Sequence, residues 1–228
     1  MRWSVAFVSA AFVLAGCEDN ISDGRPLVAS EPLADSSAEM NETDPVIVML
    51  GDSLTAGFEL PASAALPAAL QREFDDRGVP ARFVNAGVSG DTTADGLNRY
   101  DWSVEGTNAD LLVVALGAND FLDGLSPEIP KRNLAAILTR ARDQGLPVAL
   151  VGVAIPTETA NEREAAYAAI YPELAAEFDV PYFPNMMGAI AGRPELLMQD
   201  GTHPTAAGVE AMADAMAGFL APLAESLD

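Results

Sequence analysis

From residue 45 onward, apolar residues fall into two alternating patterns. Short, nearly continuous apolar runs occur at 45–50 (PVIVML), 81–87 (ARFVNAG), 111–117 (LLVVALG) and 147–153 (PVALVGV), each entered or left by Gly or Pro. Between them, apolar residues recur at three- and four-residue spacing: Leu66, Leu70 and Phe74 within 62–77, then Leu134, Ile137 and Leu138 within 127–144, which runs into Gly145. The same spacing, built on Ala and Tyr, covers 161–178, and 205–227 closes the chain. A weaker strand signal, 181–186 (PYFPNM), precedes that last helix. Runs without polar alternation predict strands buried on both faces, and intervening helices predict parallel pairing. With right-handed crossovers the expected fold class is α/β, a three-layer α/β/α sandwich around a doubly wound parallel sheet. In such sheets ligands sit outside the carboxyl ends of the strands.

The beginning of the chain does not share this pattern. Met1 and Arg2 precede an apolar stretch at 3–16. That stretch is shorter than the roughly 20 residues a bilayer span needs, so it reads as a targeting signal. It runs into LAGC (14–17), which resembles the lipobox of bacterial lipoprotein signals. The resemblance implies removal of 1–16, lipidation of Cys17 and retention at a bacterial envelope membrane, facing the periplasm or the exterior. Ordinary secretory cleavage leaving a free thiol is the other reading. Residues 17–44 carry Glu18, Asp19, Asp23, Glu31, Asp35, Glu39, Glu42 and Asp44 against Arg25 alone. So little apolar surface cannot offset ordering entropy, which predicts an acidic flexible tether. An extended strap lying on the domain is the alternative. The expected organisation is therefore signal 1–16, tether 17–44 and folded domain 45–228.

Charge and cysteine content narrow the chemistry. Acidic residues number 34 against 12 basic, a formal charge of −22, and Lys131 is the sole lysine. Nucleic acid is excluded as a partner class, because phosphate binding needs clustered Lys and Arg. The acidity otherwise describes a solvated, self-repelling surface. With one cysteine and one histidine, an intrachain disulfide and a Cys/His metal cluster are both excluded. No metal and no organic cofactor is expected.

Small and polar residues gather where the strands end. Gly51-Asp52-Ser53-Leu54 follows the first run, NAGVSGDTT (85–93) the second, and GAND (117–120) the third; DGTHPTAAG (200–208) opens the last helix. Each has a structural reading: Ser53 as a helix N-cap, Gly90 as a turn glycine, Asn119 with Asp120 as a cap, and Asp200 with His203 as a surface turn. His203 changes the weighing, because it is the only imidazole in the chain. A serine nucleophile needs a base that titrates near neutrality, and imidazole is the usual one. The D-x-x-H spacing lets Asp200 reach the ring of His203 within one turn. There the carboxylate sets its tautomer and stabilises the imidazolium as Ser53 gives up its proton. The backbone amides of Ser53 and Gly90 and the side-chain amide of Asn119 are candidate donors to a tetrahedral oxyanion.

GDSL (51–54), SGD (89–91), GAND (117–120) and DGTH (200–203) resemble, in order and spacing, the four blocks of the SGNH (GDSL-type) hydrolases. Together with GLNRYDW (96–102), they are most similar to the bacterial arylesterase and thioesterase/lysophospholipase branch, over about Pro45 to Leu223. The resemblance implies a flavodoxin-like sandwich and assigns Ser53 as nucleophile, His203 as general base and acid, Asp200 as orienting acid, with Ser53, Gly90 and Asn119 as the oxyanion hole. Two positions depart from that pattern: Thr202, where relatives often carry Ile, and Glu59, where a small residue is expected. Phe121, Leu122 and Leu125, beyond Asn119, are candidates for an acyl-site wall or for core.

The expected activity is hydrolysis of aryl or short-chain esters, acyl thioesters or lysophospholipids through an acyl-enzyme. The substrate is a small ester or lipid, and the membrane is met only through Cys17. The rival readings are an envelope polysaccharide O-acetyl esterase and a non-catalytic glycan- or lipid-binding lipoprotein that keeps only the sandwich.

Overall fold

A computed structural model describes residues 43–153 and 162–227. The expected signal at 1–16, Cys17 and nearly all of the expected tether at 17–44 lie outside these described residues.

Five parallel strands form one sheet in the order β2-β1-β3-β4-β5. They are β1 (Val46–Gly51), β2 (Arg82–Gly87), β3 (Leu111–Ala115), β4 (Val148–Val151) and β5 (Tyr182–Phe183). This is the flavodoxin-like order, with its reversal at β1 and β3. Side chains alternate across each strand. Ile47, Met49, Leu111, Val113, Ala149 and Val151 therefore enter one core with helices α2 (Leu66–Arg77) and α8 (Ala206–Glu225). Val46, Val48, Leu50, Leu112, Val114, Val148 and Leu150 enter the other, with α6 (Glu128–Asp143) and α7 (Glu162–Phe178). Both faces are thus covered, which is why the strands read as unbroken apolar runs.

Local chemistry explains the departures from expectation. The helix expected over 62–77 is broken: a 3-10 turn at Ala62–Ala64 gives way to extended Ala65 before α2 begins. A continuous helix would drive the ring of Pro67 into the carbonyl of Ser63. That carbonyl instead accepts from Arg72 Nη1 at 2.7 Å. At its other end α2 stops at Gly78 (φ 67), where the amides of Gly78 and Val79 bond to the carbonyls of Asp75 and Phe74. That is a Schellman closure, which favours glycine at this position. The expected strand over 181–186 shrinks to Tyr182–Phe183, because Pro181 and Pro184 bracket it and donate no backbone hydrogen bond.

Helix α8 is long and apolar enough to cross a membrane by length and composition. In this fold its apolar stripe, Val209, Met212, Met216 and Leu220, is buried in the core it shares with α2. Burying side chains of this size contributes about 1.5–3 kcal/mol each relative to exposure.

In register, Gly51 lies opposite Gly87 of β2 and Ala115 of β3. The loops after β1, β2 and β3 therefore leave the sheet at one level. Sequence segments more than sixty positions apart meet there.

Candidate active site

The loop after β1 is tightly built. A Cβ on Gly51 would sit 2.0 Å from Thr55 Oγ1 and 3.1 Å from the Ala115 carbonyl, so only glycine fits. Asp52, not Ser53, is the N-cap of the short helix α1 (Ser53–Ala56): its Oδ1 accepts from the Leu54 amide at 3.0 Å. Ser53 is therefore free of the capping role and half-exposed as the first helical residue.

His203 and Asp200 arrive from the loop ahead of α8. An isolated antiparallel bridge, Leu197 to Pro204, closes this loop, and the Met198 amide bonds to the His203 carbonyl at 2.8 Å. Asp200 Oδ1 accepts from the amides of Thr202 (2.9 Å) and His203 (3.0 Å), and its Oδ2 lies 2.6 Å from His203 Nδ1. These contacts, the imidazole first, hold the Asp200 carboxyl down at about 2. A carboxylate only accepts, so Nδ1 carries the proton and Nε2 of the neutral ring is an acceptor. That Nε2 is 2.9 Å from Ser53 Oγ. Phe58 stacks on the imidazole, with ring centroids 4.1 Å apart and planes at 25°.

Further contacts brace the loops. In the loop after β2, the Val88 amide bonds to the Gly51 carbonyl (3.1 Å) and the Asp91 amide to the Val88 carbonyl (3.2 Å). Gly90 sits within this turn at φ 89, a conformation glycine adopts without penalty. Arg99 is buried and donates from Nε to Asp91 (2.5 Å), from Nη2 to the Gly51 carbonyl (2.9 Å) and from Nη1 to Ser103 (2.9 Å). Asn119, on α5 (Ala118–Leu122), donates from Nδ2 to the Asp91 carbonyl at 2.8 Å. One amide hydrogen of that NH2 group is thereby committed, and the other remains to donate. Asp120 is fully buried and is not a simple cap. Its carboxylate accepts from the Thr93 amide (2.8 Å) and hydroxyl (2.6 Å), and Asn133 Nδ2 donates to the same hydroxyl at 3.0 Å. Bonds to a charged acceptor are worth about 1.5–3 kcal/mol each. They lock the loop after β3 onto α3 (Thr93–Asn98).

An opening of about 150 Å3 lies over these groups, lined by Ser53, Asn119, Phe121, Leu122, Met187 and His203 among others. Phe121 and Leu122 thus face it, Leu122 being 64% exposed, whereas Leu125 and Gly90 are not part of the lining. Thr202 also lines it, and Glu59 is an exposed residue at φ 55 outside it. A larger groove of about 460 Å3, walled by Leu111, Pro147 and Phe178, sits at the opposite ends of the strands. It holds no serine–histidine pair, so chemistry rather than volume selects the smaller opening. Among the described residues no three His, Cys, Asp or Glu side chains are placed to hold a metal ion.

Residues 49–211 match the GDSL-like lipase/acylhydrolase family. The chain belongs to that family. It is 36% identical over 177 residues to thioesterase 1/protease 1/lysophospholipase L1 of Escherichia coli K12, covering 78% of this chain and 84% of that protein. It is 32% identical to an arylesterase of Vibrio mimicus over 69% of this chain and 79% of the other. The crystal structure of AlinE4, an SGNH-hydrolase family esterase, superposes with a TM-score of 0.66 at 37% identity, covering 81% of this chain and 97% of that one. As a member of this family the chain is a carboxylic ester hydrolase.

Asp52 and Arg99 carry no signal beyond their place in the quoted blocks, Phe58 lies outside those blocks, and sequence reasoning passed over all three. Asp52 stands out physically. It is 1% exposed, its Oδ2 has no hydrogen-bond partner among the described residues, and burial raises its carboxyl from 3.8 to about 6, against the pull of the Leu54 amide. A carboxyl whose folded value lies above its unfolded one binds its proton more tightly when folded. Its stabilising contribution is complete below about 4 and is lost as pH rises through about 6. That difference corresponds to about 3 kcal/mol. Asp52→Asn keeps the capping oxygen, so its denaturant-unfolding free energy is expected to fall less steeply than wild type between pH 4 and 7. Parallel pH profiles for the two proteins would refute this account.

Proposed function

We propose that the chain is a serine esterase acting through Ser53, His203 and Asp200. The observation that carries this reading is the unbroken relay from Asp200 Oδ2 to His203 Nδ1 at 2.6 Å and from His203 Nε2 to Ser53 Oγ at 2.9 Å. Ser53 Oγ attacks the ester carbonyl while Nε2 takes its proton, and Asp200 stabilises the imidazolium that forms. The tetrahedral oxyanion is met by the free amide hydrogen of Asn119 and by the backbone amides of Ser53 and Gly90. The imidazolium then protonates the departing alcohol, leaving an acyl-serine. Water, deprotonated by the same Nε2, releases the acid and restores the serine.

A small opening with an apolar wall favours aryl or short acyl esters as substrates. Acyl thioesters and lysophospholipids come next, since the Escherichia coli relative is named for both activities. Hydrolysis of p-nitrophenyl esters from acetyl to palmitoyl separates these: a maximum at short chains supports the first, and a rise with length the second. Inertness on all of them, with no fluorophosphonate labelling of Ser53, refutes the serine-esterase reading. Labelling without turnover points instead to an envelope polysaccharide O-acetyl ester as substrate.

The N-terminal sequence supports an envelope location, with Cys17 lipidated and 18–44 spacing the domain from the membrane. Full-length protein expressed in a bacterium is expected to partition into detergent and Cys17→Ser into the aqueous phase. Equal partitioning of the two refutes the anchor.

A further inference from the structure

The segment that walls the opening is held from a helix that contributes nothing to the catalytic relay. Arg163, in the first turn of α7, donates from Nη2 to the Phe121 carbonyl at 2.6 Å and reaches the Leu125 carbonyl at 3.5 Å. Its guanidinium also lies over the Phe121 ring, 4.2 Å from the centroid, and over Tyr167 at 5.1 Å. One turn further along α7, Tyr167 meets the Phe121 ring edge-on at 5.2 Å and donates its hydroxyl to the Leu125 carbonyl at 2.9 Å. Phe121 is therefore gripped by ring and backbone on one side and faces the opening beside Ser53 on the other.

We propose that Arg163 is a positioning residue for substrate selection, fixing Phe121 and its turn as the acyl-facing wall of the Ser53 opening. This rests on the serine-esterase reading above. The planar guanidinium can stack on a ring and donate in its own plane at once, which an ammonium cannot do. The oxyanion end of the same short helix has independent anchors: Asn119 on the Asp91 carbonyl, and Asp120 on Thr93. Loosening Arg163 therefore frees the Phe121 end of α5 while the Asn119 end stays in place. An acetyl group ends close to Ser53, whereas a longer acyl chain extends onto Phe121 and Leu122. The consequence falls on the longer chain.

The test compares p-nitrophenyl acetate and octanoate with wild type, Arg163→Met and Arg163→Lys. Arg163→Met is expected to lower the octanoate-to-acetate ratio of kcat/KM at least tenfold, chiefly through a higher KM for octanoate, and Arg163→Lys to recover part of it. Tyr167→Phe, which loses only the hydroxyl bonded to Leu125, should move the ratio the same way by less. A ratio within twofold of wild type in Arg163→Met, with an unchanged Tm, overturns the proposal. So does an equal loss on both esters, which marks Arg163 as merely structural. If Arg163→Met does not fold, Arg163→Lys and Phe121→Leu decide instead, and an unchanged ratio in both overturns it. Fluorophosphonate labelling of wild type runs alongside: its absence sinks the serine-esterase reading, whereas a labelled, active wild type with unaltered variants sinks only this proposal.

Discussion

Ser53→Ala is expected to lower kcat on p-nitrophenyl acetate by at least about 10^3-fold, leaving only the slow hydrolysis that binding and oxyanion donors sustain. Each factor of ten in rate is about 1.4 kcal/mol of barrier, so the lost step is worth about 4 kcal/mol or more. The fold should barely register the change. Ser53 is half-exposed, Asp52 supplies the cap of α1, and removing Oγ leaves His203 Nε2 at an opening that water can enter. Unfolding in urea with and without the substitution, beside single-turnover kinetics, separates the two effects. Activity within tenfold of wild type would move the nucleophile elsewhere and dismantle the proposed mechanism.

His203→Gln is the second large effect. With no other histidine in the chain, no neighbouring imidazole can replace the lost base. A kcat loss of about 10^3-fold or more is expected, and the Ser53→Ala/His203→Gln double variant should be hardly slower than either alone, because groups acting as one unit do not add. The two single losses multiplying in the double variant would argue against a shared step. A stability signature accompanies it. The imidazole is the first cause of the low Asp200 value, about 2, so the wild type holds stability above about pH 4 that is lost as pH falls towards 2. The variant lacks the largest single cause of that acid-side contribution while keeping the bonds from the amides of residues 202 and 203, and its acid-unfolding midpoint should lie at higher pH.

Much of this architecture was legible because its signals are local. Unbroken apolar runs such as LLVVA specify strands buried on both faces, and Leu66, Leu70 and Phe74 specify one helix face; the structure buries all of them. Other features were not legible, for equally local reasons. Pro67 ends a turn that the apolar spacing alone would continue. Asp52 rather than its neighbour caps α1, although both residue types are good caps. Asp120 read as a cap because its partners, Thr93 and Asn133, are distant in sequence.

The four motif blocks with one histidine were enough to nominate Ser53, Asp200 and His203, since D-x-x-H geometry lies within a single turn. Whether Ser53 Oγ stands within hydrogen-bond reach of His203 Nε2 depends on contacts spanning 150 residues of sequence. Likewise, Arg99 joining Gly51 to Asp91, Phe58 stacked on the imidazole and Arg163 gripping Phe121 all join residues that are distant in sequence. Sequence by itself determined most element types and the α/β class, because periodicity and turn chemistry act over a few neighbours, and the single histidine limited the candidate bases to one. Only the tertiary structure decided which side chains touch, because strand order and register, set by burying two apolar faces at once, bring distant loops to the same level.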